Sequence, residues 1–97
     1  MVLKLVQLIW EEKNVKHIAK HYVSIDEVEE IFTKFHHVGK AKNKRKIVTG
    51  ETDDGRILEV PLVHKGRGRY FPLTAYDAGE YRTRVYLHAK AHHARGR

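Results

Sequence analysis

Hydrophobic positions change their period repeatedly along this chain, and each change marks an element. Val2 to Ile9 concentrates branched aliphatic residues and predicts a short strand. From Glu11 to Tyr22, Val15, Ile18, Ala19 and Tyr22 recur at helical spacing and predict an amphipathic helix. At about 100° per residue, Lys13, Lys16, His17, Lys20 and His21 gather on its opposite, cationic side. Ser24-Ile25-Asp26-Glu27 has the form of a capping box. The helix it starts is expected to reach about Lys34 and to bury Val28, Ile31, Phe32 and Phe35.

Beyond the basic run Lys40–Lys46, read as a loop, the period shortens to two. Arg45 to Gly50, Arg56 to His64 and Arg69 to Thr74 predict an antiparallel meander, with Leu58, Val60 and Leu62 alternating in its middle strand. Asp53-Asp54-Gly55 and Gly66-Arg67-Gly68 supply the turns. Pro61 cannot donate to a ladder, so a bulge or local gap is expected there. Thr74 or Asp77 is expected to cap a final helix reaching about His92, with Ala78, Tyr81, Val85 and Ala89 on its apolar face. Arg82 falls inside that apolar arc, where a cation needs a partner or a ligand. Residues 92–97 read as a frayed basic tail. The whole is one α+β domain spanning 1–97, a three- to four-stranded, mainly antiparallel sheet with two N-terminal helices and one C-terminal helix.

Composition narrows the function. The 97 residues suffice for one domain. There are no cysteines, which excludes disulfides and thiolate metal sites and agrees with a cytoplasmic location. The apolar start, Val2 to Trp10, is too short to span a membrane, and it does not read as a signal peptide. Lys and Arg number 19 against 12 acids, a formal charge of +7, which favours a polyanionic partner. Glycine-rich nucleotide loops are absent. Ser24, the only serine, is explained by capping. His17 and His21, like His88 and His92, stand four apart but lack further ligands, so neither a metal nor another cofactor is expected. The adjacent His36 and His37 are assigned no role.

RNA cleavage asks for less than these excluded chemistries. The RNA supplies its own 2′-hydroxyl as nucleophile. The protein supplies a base, an acid and cations for the phosphorane. Candidates for proton transfer are His17 and His21, and for the phosphate Arg45, Arg56 and Arg82, since arginine clamps phosphate bidentately. Lys13, Lys16, Lys20, Lys44 and Arg69 are candidates for steering RNA, and Tyr70, Tyr76 and Tyr86 for stacking on bases.

The order of residues adds a resemblance. Trp10-x3-Asn14-x2-His17-Ile18-x-Lys20-His21-x-Val23-Ser24, then Glu27 to Phe32, Arg45, Gly50, Gly55-Arg56, Leu58, Val60, Thr74-Ala75, Ala78 and Tyr86 together resemble the BrnT family of bacterial toxin ribonucleases. The likeness runs from about Trp10 to Tyr86. It implies a RelE-like fold and cleavage of messenger RNA that inhibits translation. It also implies a cognate DNA-binding antitoxin as partner beside RNA. The chain departs from the family pattern at Tyr22, usually glycine; at Ala75-Tyr76, usually Ala-Arg; and at Arg82-Thr83, where the family has Glu-Arg. The resemblance and the cationic face together lead to a toxin of a type II toxin–antitoxin pair, a metal-independent endoribonuclease. The departures favour the alternative of an RNA- or antitoxin-binding module without catalysis. A DNA-binding accessory protein is a weaker reading, because no helix-turn-helix is apparent.

Overall fold

Along Ile57–His64, Leu58, Val60 and Leu62 point to one side and are fully buried, while Glu59, Pro61 and Val63 point to the other. This strand, β4, runs through the middle of the sheet in a computed structural model that describes residues 7–43 and 45–95. Around it lie β1 (Gln7–Leu8), α1 (Glu12–Ala19), α2 (Ile25–Ile31), β2 (His36–Lys40), β3 (Lys46–Glu51), β5 (Arg69–Pro72), β6 (Tyr76–Asp77) and α3 (Glu80–Arg95). The described residues thus form an α+β architecture of three helices and one six-stranded mixed sheet. The strand order is β1-β5-β4-β3-β2, with β1 parallel to β5 and the other pairs antiparallel; β6 pairs with β4 beyond the end of β5.

The helices take opposite faces. Ile18 of α1 and Val28 and Ile31 of α2 close on Val48, Leu58, Val60 and Leu62, which makes the core. α2 begins at the expected capping box: Ser24 Oγ accepts from the Glu27 N–H, and Glu27 accepts from the Ser24 N–H. α3 crosses the other face above β2 and β3, where Tyr86 is buried and donates to Glu51. It leaves the β4–β5 half of that face largely uncovered, bordered at its edge by Lys13, Asn14 and His17 of α1.

Several expectations give way. β2 and β6 carry mostly polar residues and show no apolar alternation, so neither was among the expected strands. The first helix ends at Ala19, because Tyr22 adopts a left-handed φ of 59° and the Val23 N–H closes on Ile18. Lys20 and His21 therefore lie in a turn and not on a helical face. The second helix stops at Ile31, and Phe35 packs instead against Tyr86 and His93 of α3. Neither Thr74 nor Asp77 caps the last helix, since Tyr76–Asp77 is drawn into the sheet and the helix starts at Glu80. Tyr81 is consequently 64% exposed, and the inward face carries Arg82 and Tyr86. The helix continues to Arg95, so 92–95 are not a frayed tail. The local gap expected at Pro61 is present on one side, between the β4–β5 and β4–β6 pairings, while the β3 ladder passes it without a bulge. The expected strand residues 2–6 lie outside the described residues.

A candidate catalytic row and nucleic-acid interface

Register places one residue each of β2, β3, β4 and β6 in a line across the face that α3 partly covers. His37 opposes Thr49, Thr49 opposes Glu59, and Glu59 opposes Tyr76. Directly opposed residues point to the same face, so their side chains form a polar row. The Tyr76 hydroxyl donates to Glu59 at 3.1 Å. His21, from the α1–α2 turn, sets its ring edge-on to Tyr76 at 5.7 Å, so histidines stand at both ends of the row.

Arg82 reaches this row from above. Its guanidinium lies over Gly39, where an added Cβ would come within 2.6 Å of Nη1 and 3.7 Å of the His37 ring. Only the missing side chain at Gly39 lets the guanidinium settle beside the row. Among the described residues Arg82 makes no ion pair and no hydrogen bond; its one noted contact is with the Tyr81 ring, at 5.6 Å. Two buried atoms of the row, His37 Nδ1 and Thr49 Oγ1, also lack a partner. Buried polar groups in folded proteins are nearly always paired, and exceptions concentrate where a ligand binds.

The electrostatics sort these groups by role. Burial holds the His37 imidazole below the ordinary 6.5, and the Arg82 charge lowers it further, so it is neutral and able to accept a proton at neutral pH. Burial, together with Glu59, raises the Tyr76 hydroxyl above its ordinary value, which keeps it a donor. His36, facing the core against Phe32, is likewise lowered by burial. Both histidines bind protons less readily when folded, so their contribution is complete above the ordinary 6.5 and is lost as pH falls through the depressed folded values. Glu51, whose carboxyl Lys90 holds below the ordinary 4.5, gives a contribution that is complete above 4.5 and is lost only in more acidic solution. Thermal unfolding should therefore show a midpoint several degrees lower at about pH 5 than at about pH 7. A His36→Gln/His37→Gln double variant should flatten that difference; an unchanged profile would refute the assignment.

The other residues singled out in the sequence separate into groups. Lys13, His17 and Arg45 line one cleft of about 540 Å³ beside Pro61 and Phe71, on the same face of the sheet as Glu59. His17 Nδ1 lies 3.2 Å from the Leu73 carbonyl. Lys16 is exposed and approaches Glu12 at 3.6 Å; Lys20 is exposed in the turn. Arg69 is exposed and lines a neighbouring cleft, and Lys44 lies outside the described residues.

Three of the candidates are held elsewhere. Arg56 donates to Asp77 at 2.7 Å, to Glu27 at 3.2 Å and to the carbonyls of Tyr22 and His21 at 2.6 and 3.1 Å. Its guanidinium is an internal clamp between the α1–α2 turn, α2 and β6, with its donors already engaged. Tyr70 lies in the core, because β5 turns it toward Ile18 and Leu62. Tyr86 is covered by its own helix, and burial with Glu51 pushes its hydroxyl up to about 12. Neither ring is presented to solvent for stacking.

His37, Thr49 and Glu59 did not stand out as site residues in the sequence, and Tyr76 did so only as a candidate for stacking on bases. Glu59 had a signal: Leu58, Val60 and Leu62 on the core side force it onto the opposite face. His37 had none, since β2 was not foreseen. Among the described residues no three metal-ligating side chains come together. No family model, curated protein or solved structure matches the chain.

Proposed function

We propose that this chain is a metal-independent endoribonuclease of RelE-like fold, acting as the toxin of a type II toxin–antitoxin pair. The observation that carries the chemistry is the unpartnered Arg82 guanidinium held over a cross-strand row of His37, Thr49, Glu59 and Tyr76. The toxin role rests on the residue order shared with BrnT-like proteins, and the cognate antitoxin is proposed on the same ground.

Neutral His37 takes the proton of the RNA 2′-hydroxyl. The 2′-oxygen attacks phosphorus and the bond to the 5′-oxygen breaks. The leaving oxygen takes a proton from the Tyr76 hydroxyl, and Glu59, which accepts from that hydroxyl, orients it. In-line displacement needs base and acid on opposite sides of phosphorus. His37 and Tyr76 are three strands apart, about 14 Å between backbones at the usual inter-strand spacing, and the Tyr76 side chain shortens that by reaching back to Glu59. The Arg82 charge acts on both His37 and Tyr76, and its guanidinium, over Gly39 and beside His37, stabilises the phosphorane. The products are a 2′,3′-cyclic phosphate and a 5′-hydroxyl.

Purified protein should cut long single-stranded RNA, and His37→Ala and Glu59→Gln should each slow the reaction by at least roughly tenfold. Unaltered cleavage in both variants would overturn this site. RNA that is bound but left intact would favour the binding module without catalysis. Gly39→Ala offers an independent check. The added methyl meets the end of a flexible arginine, so stability should change by less than about 1 kcal/mol. It would displace the guanidinium, and cleavage should fall by roughly tenfold or more. Full activity in a folded Gly39→Ala protein would contradict the position given to Arg82.

A further inference from the structure

We infer that the uncovered half of the sheet is a track for single-stranded RNA, in which Phe71 is the platform that stacks a flanking base. This rests on the ribonuclease reading and extends it beyond the scissile phosphate. Phe71 opposes Val63 in the β4–β5 pairing and so lies on the face that carries Glu59 and Pro61. Its half-buried ring is a shared wall of two clefts. On one side are Lys13, His17, Arg45 and Pro61, around about 540 Å³. On the other are Ile9, Glu11, Lys65 and Arg69, around about 450 Å³. An aromatic face between two cationic clefts is the arrangement that holds a base and the phosphates on either side of it.

The cations are available. Among the described residues Lys13, Arg45 and Lys65 make no ion pair. Lys65 Nζ stands 5.9 Å from the centre of the Phe71 ring. Beyond it the β4–β5 turn takes three successive left-handed residues, Gly66, Arg67 and Gly68, with φ of 88°, 55° and 74°. That tight knuckle brings exposed Lys65, Arg67 and Arg69 to one end of the track. Glu11 borders both clefts and sets a hydrogen-bond acceptor where a base edge would come.

Length and shape favour a single strand. From Glu59 to Val63, the strand neighbour of Phe71, β4 advances about 13 Å at about 3.3 Å per residue. The stacked base is therefore separated by a few nucleotides from the phosphate at the row. A duplex keeps its base faces stacked inside and has none to offer Phe71.

The test is binding of fluorescein-labelled 2′-O-methyl oligonucleotides, whose blocked 2′-oxygen prevents cleavage, followed by anisotropy. A hexanucleotide should bind at least roughly tenfold more tightly than a dinucleotide. Phe71→Leu, which keeps the apolar bulk, and Phe71→Ala should each weaken the hexanucleotide by roughly tenfold. Phe71→Trp should retain it. Wild-type affinity in Phe71→Leu and Phe71→Ala would overturn the track, as would equal binding of a duplex or of a polyglutamate peptide of matched charge. Failure of the ribonuclease reading is distinguishable: unmodified RNA would stay whole while the length dependence and the Phe71 effect persisted.

Discussion

Replacing Arg82 by glutamine should lower RNA cleavage by roughly 10²- to 10³-fold, the usual cost of removing one group aimed at a developing oxyanion. Stability should change by no more than about 0.5 kcal/mol, or rise. The guanidinium is half-buried over Gly39 and, among the described residues, has neither a carboxylate nor a hydrogen-bond acceptor to lose. A cation held in this way is a local cost to the fold that only a bound anion relieves. Kinetics on RNA beside thermal unfolding of the same preparations measure both quantities. A variant that cleaves normally, or one that fails to fold, would show that Arg82 serves the fold.

Arg56→Ala should behave in the opposite way. The side chain is 25% exposed and joins Glu27, Asp77 and two backbone carbonyls. Asp77 is 70% exposed, so screening limits that arm to under about 1 kcal/mol. The bonds to Glu27 are part-buried and those to the two carbonyls are exposed, and losing the charged donor to all three brings the expected destabilisation to about 2 kcal/mol. For a domain this small the midpoint should fall by about 10 °C or more. Arg56→Lys should recover only part, because a point charge cannot address acceptors lying in several directions. At temperatures where the variant remains folded, its cleavage rate should stay near that of the wild type. Selective loss of cleavage at undiminished stability would return Arg56 to the phosphate. The pair of arginines thus separates by measurement what composition alone presents as equivalent cations.

What the sequence revealed follows from which forces leave a local trace. The capping box at Ser24, the alternation through Leu58, Val60 and Leu62, and the turns at Gly55 and Gly66–Gly68 are local chemistry, and they located α2 and the meander. β2 is held by its ladder to β3 and by the cover of α3, not by an apolar period in His36–Lys40, so nothing local announced it. The helical run through His21 was a reasonable inference from spacing, but Tyr22 in a left-handed conformation ends the helix and moves His21 toward Tyr76. Among the site residues, the reach of Lys13, His17, Arg45 and Arg82 toward one face was visible in part. Their sorting from Arg56 was not, because Asp77 and Glu27 come to Arg56 from distant points in the chain. Glu59 enters the row only through the sheet register, opposite Thr49 and Tyr76.

The central claim is that the row and Arg82 cleave RNA through its own 2′-hydroxyl. The most direct measurement is the chemistry of the ends produced from a long single-stranded RNA, with EDTA present, by wild type beside Arg82→Gln. Fragments bearing 2′,3′-cyclic phosphate and 5′-hydroxyl ends, absent from the variant reaction, are the predicted result. Intact RNA, cleavage abolished by EDTA, or 5′-phosphate ends would contradict the account.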